Sequence, residues 1–277
     1  MAVEMDFVVD LVNHLRAELV AAGFTDAADR AKVDDDEIGI RYFNVRVRNI
    51  DACPRVVKFS KVYASTVPVG QEQAIDELLA KVKRGDDLRP HQSRKLVNKK
   101  LLANDGMLND WGIHHLHPDP AGGKDVLMCH VTAEALYAIG FWPHNKWTFK
   151  PIWDALIDSW PAEFAKYVMP GVVPLNLTDD ERANLRAKNV SVFLDGPDGK
   201  VYRSMGGGLS TAGTNFSATT EYDKLSYLVQ NIEEQVRQQT VKLGIKDHAR
   251  FTLLFEDAEP VAIFDEINKR RIPLVES

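Results

Sequence analysis

Residues 126–141, VLMCHVTAEALYAIGF, hold two apolar runs, Val126–Val131 and Ala135–Phe141, with only Thr132, Ala133 and Glu134 between them. Apolar runs of this length, joined by so short a link, read as sequential strands paired antiparallel in one sheet. His130 sits inside the first run with apolar neighbours on both sides and is expected to be a core residue. Residues 112–117 read as a third strand of the same sheet, set off by the turn formers PDPAGG at 118–123. A helix beginning near Ile152 and closed by Trp160-Pro161 is expected to cover the sheet.

The flanking segments are mixed in type. Phe7, Leu11, Leu15 and Leu19 form one stripe of an amphipathic helix over 5–23, stopped by Gly23. Asp34–Glu37 reads as a solvated loop, and the alternation of Phe43, Val45 and Val47 with Asn44, Arg46 and Arg48 as a half-buried strand. A second strand is expected over Val56–Tyr63, a helix over 71–83 ended by Gly85, and a short helix over 90–101 with Pro90 in its first turn. Further on, Thr178 and Glu181 form a capping box. Val190–Leu194, DGPDG and Val201–Arg203 make a hairpin signal, followed by a long helix over 221–243 and short strands at 251–255 and 261–264. The order is irregular, which favours an α+β fold. Its expected form is a central, mostly antiparallel sheet covered by helices, with a smaller C-terminal hairpin-plus-helix region. The composition shift near residue 170 suggests a main domain over 1–170 and a C-terminal region over 171–277, packed with it or separate.

A chain of 277 residues, 45% hydrophobic and 27% charged, can bury a sizeable core. Its net charge of −6 argues against a general nucleic-acid coat or a polybasic membrane anchor. No run approaches eighteen apolar residues, so no membrane partner is expected. The N-terminal stretch does not read as a signal peptide. A cytoplasmic setting follows, with Cys53 and Cys129 as free thiols. A homo-oligomer is compatible with all of this.

Five of the eight histidines lie between 114 and 144, and all five tryptophans between 111 and 160. On a strand over 112–117, His115 and His117 share a face with Ile113, whereas His114 leaves the other face beside Leu116. His144 follows the run Ala135–Phe141, which can bring a third imidazole to the pair. Imidazoles titrate near neutrality, so two of them can act as base and acid on a phosphodiester. Lys146 and Tyr137 are then candidate donors to the developing charge. The leading expectation is a hydrolase or nuclease acting on phosphodiesters without a cofactor, an RNA-cleaving, toxin- or defence-like enzyme. The first alternative is a hydrolase dependent on zinc or another divalent metal, with His115, His117, Asp119 and His144 as ligands. The second is a non-catalytic binding or assembly module using the Trp-rich face and the helix over 221–243.

The string HLHPD also resembles the H-x-H-x-D signature of metallo-β-lactamase-type hydrolases. The sequence departs from that pattern in three ways. Pro120 stands where the family has a second-metal histidine, the preceding LNDWGI is short and polar rather than a long apolar strand, and His130 and His144 come too early for the third ligand. The chain is therefore not assigned to it.

Two other segments stand out. Residues 81–100 carry eight basic side chains against Asp86 and Asp87. Arg89, Arg94, Lys95, Lys99 and Lys100 are candidate phosphate contacts for a nucleic-acid partner. Residues 203–220 are rich in glycine and hydroxyls but match neither phosphate-loop pattern. Gly206, Gly207, Gly208, Ser210 and Thr211 read as a surface loop, or as one that closes over the histidines.

Overall fold

The computed structural model describes residues 4–29, 33–93, 105–211, 213–242 and 249–274. The fold is mixed α+β, with a four-stranded and a three-stranded sheet. Two compact units are present, residues 44–218 and residues 1–43 with 219–277. These bounds differ from a line near residue 170. Leu194 and Tyr202 are buried in the same core as Trp153, so residues up to 218 fall with the histidine block. The proline-bearing stretch after 170 changes the composition without ending a core.

In the unit of residues 44–218, the sheet contains β1 (Val56–Phe59), β2 (Ile113–Leu116), β3 (Asp125–Val131) and β4 (Ala135–Pro143), in the order β1-β4-β3-β2. The three-strand meander β2-β3-β4 is antiparallel, as the apolar runs predict, and β1 adds parallel to β4. Both faces are covered. Ile75, Leu78, Leu79 and Val82 of the helix Glu72–Arg84 pack with Leu116, Leu127, Cys129 and Phe141 on one side. Ile152, Trp153 and Leu156 of the helix Lys150–Ser159 pack with Trp111, Ile113, Val126, Met128 and Ile139 on the other. Burial on two faces is why β3 and β4 are continuously apolar rather than alternating.

β4 carries a bulge. Met128 pairs with Gly140 and Cys129 with Ala138, which leaves Ile139 as the extra residue. Ile139 and Phe141 consequently point into opposite cores although they are two apart. Gly140 is required there, because a Cβ would lie 2.5 Å from Thr66 Oγ1, which accepts the Phe141 amide.

The other elements of this unit are numbered with those of the second unit along the chain. They run α1 (Phe7–Ala21), α2 (Thr25–Ala28), α3 (Asp35–Arg48), α4 (Tyr63–Thr66), α5 (Glu72–Arg84), α6 (Gly106–Trp111), α7 (Lys150–Ser159), α8 (Pro161–Phe164), α9 (Asp179–Ala187) and α10 (Phe216–Lys242). The hairpin strands β5 (Leu194–Asp195) and β6 (Val201–Tyr202) are shorter than expected. In the unit of residues 1–43 and 219–277, α1 packs on β7 (Phe251–Glu256), which pairs with β8 (Glu259–Asp265) and then β9 (Arg270–Pro273). Asp10 of α1 accepts the Leu253 amide at 2.8 Å.

Several expectations are corrected. The supposed acidic loop and the strand over 43–47 are one helix, α3. Its buried Ile38, Tyr42 and Val45 follow helical spacing, and Asp35, Asp36 and Glu37 sit at its positive N-terminal end with Arg46 and Arg48 at the other. The strand over Val56–Tyr63 stops at Phe59 and turns into α4. Of the helix expected over 90–101, a 3₁₀ turn over Arg89–His91 is seen, and the rest lies outside the described residues. Cys53 and Cys129 are free thiols, and burial pushes the Cys129 thiol upward. Among the described residues no helix is long and apolar enough to cross a membrane.

Candidate functional site

β2 and β4 both run opposite to β3, so their C-terminal ends reach the same end of the sheet. His115 lies on β2, His117 just past it, and His144 just past β4. The main chain fixes both overhangs: the His117 amide donates to His91 O at 2.7 Å and the His144 amide to Lys124 O at 3.0 Å. The three imidazoles meet. Ring centroids are 5.9 Å apart for His115–His117, 5.3 Å for His115–His144 and 5.2 Å for His117–His144. One nitrogen from each ring lies within 4.8 Å of the other two. Trp147 packs against this group, 4.8 Å from the His115 ring and 4.7 Å from that of His144.

That spacing suits one ion. A zinc-type ion binds imidazole nitrogen at about 2.0–2.1 Å, so tetrahedral ligation places three ring centres about 5.2 Å apart. Two of the three separations match, and the third needs a small approach of His117 to His115. Asp119 does not belong to the group; it is exposed, and its carboxylate accepts the Ala121 amide within the turn.

β2 is an edge strand, and residues from both of its faces, His114 and His115, border a cavity of about 620 Å³. The cavity is bordered by Arg48, Asp105, His114, His115, Trp147 and Arg186 among others. His114 belongs to the strand face opposite His115. It is half-buried by area and borders the cavity, and desolvation pushes its imidazole down to about 4.

The far wall holds a buried ion pair that sequence reasoning missed. Arg186 Nε donates to Asp110 Oδ2 at 3.0 Å, and Arg186 Nη1 donates to the carbonyl of Trp147. The guanidinium lies 4.4 Å from the Trp111 ring centre, with that of Arg182 at 5.9 Å. Burial holds the Asp110 carboxyl above its ordinary value and the Arg186 guanidinium below its own, against the attraction between them. The capping box at Thr178–Glu181 starts α9 as expected, and Arg182 and Arg186 at i,i+4 mark its buried face. That spacing alone was no signal of burial, because like charges one helical turn apart ordinarily mark a solvated face. His91 was also overlooked. It is buried, its Nδ1 donates to His117 O at 2.8 Å, and its Nε2 accepts from Lys81 at 2.9 Å.

The remaining candidates fall elsewhere. Tyr137 is buried among His130, Trp160 and Phe164, 3.4 Å from Lys58 Nζ, and does not border the cavity. Lys146 is exposed with its ammonium 5.1 Å over the Phe149 ring. Arg89 pairs with Asp87 at 2.9 Å, and Arg84 with Asp86 at 2.6 Å, so part of the basic segment meets its own acids. Arg94, Lys95, Lys99 and Lys100 lie outside the described residues. The glycine-rich segment is docked on α6: Gly208 N donates to Asn109 O at 2.7 Å, and a Cβ on Gly206 would lie 1.8 Å from Leu108 O. Gly207 has φ +94°. Ser210 bonds Thr214 at 2.7 Å, and Thr211 O accepts from Asn189.

The chain matches no protein-family model, no curated protein and no solved structure.

Proposed function

We propose that this chain is a hydrolase whose reacting centre is a zinc-type divalent ion held by His115, His117 and His144. The observation that carries this reading is the convergence of three imidazole nitrogens within 4.8 Å of one another beside a cavity of about 620 Å³. Three protein ligands with one open position are the arrangement that lowers the pKa of a bound water to about 7 and makes it a nucleophile near neutrality. His144 is exposed and His115 borders the cavity, so substrate has a route to that position.

The substrate class we propose is a phosphodiester. Ser93 borders the cavity and leads in sequence directly to Arg94 and Lys95. The same histidines support a second reading, acid–base cleavage without a metal. In-line displacement at phosphorus places attacking and leaving oxygens on opposite sides, so base and acid must flank the substrate. Nitrogens that converge on one point favour the ion.

Metal analysis of the purified protein, combined with hydrolysis of bis(p-nitrophenyl) phosphate before and after chelation, tests the reading. One tightly held ion per chain and chelator-sensitive hydrolysis are expected. Protein that takes up no divalent ion, or hydrolysis indifferent to chelation, would overturn it.

A further inference from the structure

We propose that the cavity contains an oxyanion subsite on Arg186, so that the substrate is a small molecule carrying a carboxylate or phosphate apart from the bond that is cleaved. What happens to that bond rests on the metal-centre reading; the binding of the anion does not.

Three observations converge on Arg186. It borders the cavity, yet its side chain is only 7% exposed. Its Nε is bonded to Asp110 and its Nη1 to Trp147 O, while the buried Nη2, like Asp110 Oδ1, has no hydrogen-bond partner among the described residues. A buried guanidinium nitrogen without an acceptor is costly, and a charge-assisted bond to an oxyanion is the strongest way to satisfy it.

The surrounding charge points the same way. Arg182, one turn earlier on α9, is 1% exposed and its Nε and Nη1 also have no partner among the described residues. Against these two buried guanidiniums stands one buried carboxylate, Asp110. At the cavity itself Arg48 and Arg186 stand against Asp105, two cations to one anion. A half-open cleft with surplus positive charge favours negative ligands.

Trp147 sets the separation between the subsite and the histidines. Its ring touches His115 and His144, and its carbonyl accepts from Arg186. A ligand spanning both places must bridge one tryptophan residue, and a cavity of about 620 Å³ suits a molecule of nucleotide or smaller size.

Binding of inorganic phosphate and of acetate to the full chain, stripped of metal and then freed of chelator, tests the subsite. Calorimetric titration at constant ionic strength is the readout. Saturable binding of phosphate, acetate or both to the wild type is expected, and the preferred anion identifies the group. Two variants remove it. R186Q/D110N takes away the buried pair together, and Ala187→Glu adds a carboxylate at an exposed position bordering the cavity while keeping the pair. Binding should weaken about tenfold or more in each. If the double variant does not fold, Ala187→Glu decides alone. Absence of saturable binding to the wild type, or undiminished binding in a folded variant, would overturn the proposal. So would loss of binding in His144→Ala with retention in R186Q/D110N, which would assign the anion to the histidines. A wild type that binds an oxyanion but no metal sinks the metal centre alone; one that binds metal but no oxyanion sinks the subsite alone.

Discussion

His91 and His117 hold each other by two hydrogen bonds: His91 Nδ1 donates to the His117 carbonyl at 2.8 Å, and the His117 amide donates to the His91 carbonyl at 2.7 Å. Lys81 donates to the remaining ring nitrogen of His91. On the metal-centre reading, His91 is therefore a positioning residue for the backbone that carries His117. His91→Ala is expected to weaken zinc binding by about 10- to 100-fold while the three imidazoles remain. Competition titration with a chromophoric chelator measures this, and rescue by His91→Gln would separate positioning from simple loss of fold. Unchanged affinity in a folded His91→Ala protein would remove the residue from the site.

Single alanine changes at His115, His117 and His144 should each abolish stoichiometric metal and lower hydrolysis by about 10²- to 10⁴-fold. His114→Ala should keep its metal, because its side chain leaves the strand on the other face. Metal content of the four proteins separates them. A His114 variant that loses metal as fully as the others would show the strand faces to be wrongly assigned.

The Asp110–Arg186 pair gives a stability prediction independent of function. Asp110→Ala alone leaves a buried guanidinium without its carboxylate and should cost about 3–5 kcal/mol. R186Q/D110N should cost less than the sum of the two single changes, since neither partner is then left charged. Urea melts of D110N, R186Q and R186Q/D110N give the coupling; simple additivity would mean that the pair is not formed in solution.

Acid should destabilise the chain in a defined window. Desolvation holds His114 down at about 4 and lowers His130 as well, whereas an unfolded histidine titrates near 6.5. The folded values lie below the unfolded one, so the stabilising contribution is complete above pH 6.5 and is lost as pH falls toward 4. For His114 the loss across that window is about 3 kcal/mol. His114→Phe should flatten the fall, as read from urea melts at pH 7.5 and 4.5. An identical fall in the variant would exclude His114 as its source.

The meander and the histidine cluster were both legible in the sequence. Apolar runs with three-residue spacing leave little choice of pairing, and side-chain alternation along β2 then assigns His115 and His117 to one side. Helix α3 was not legible, because Phe43, Val45 and Val47 alternate like a strand over a short window. The helical burial of Ile38, Tyr42 and Val45 emerges only over a longer one. The Asp110–Arg186 pair joins residues 76 positions apart, and each alone reads as a surface charge. Burial of such groups depends on a partner that local pattern cannot supply. The parallel addition of β1 to β4 is equally non-local.

The bulge-bearing meander has a consequence for how the protein is made. Strands β2, β3 and β4 pair with one another as sequence neighbours between residues 113 and 143, and the last of the three clustered histidines follows immediately at His144. Contacts so close along the chain close early, because little chain entropy is spent before they form. The three imidazoles can gather on a growing polypeptide as soon as this segment is free, whereas α9, carrying Arg186, is synthesised later. On the metal-centre reading proposed above, a chain halted between these stages would hold the three histidines together while the cavity is still open on the side of Arg186.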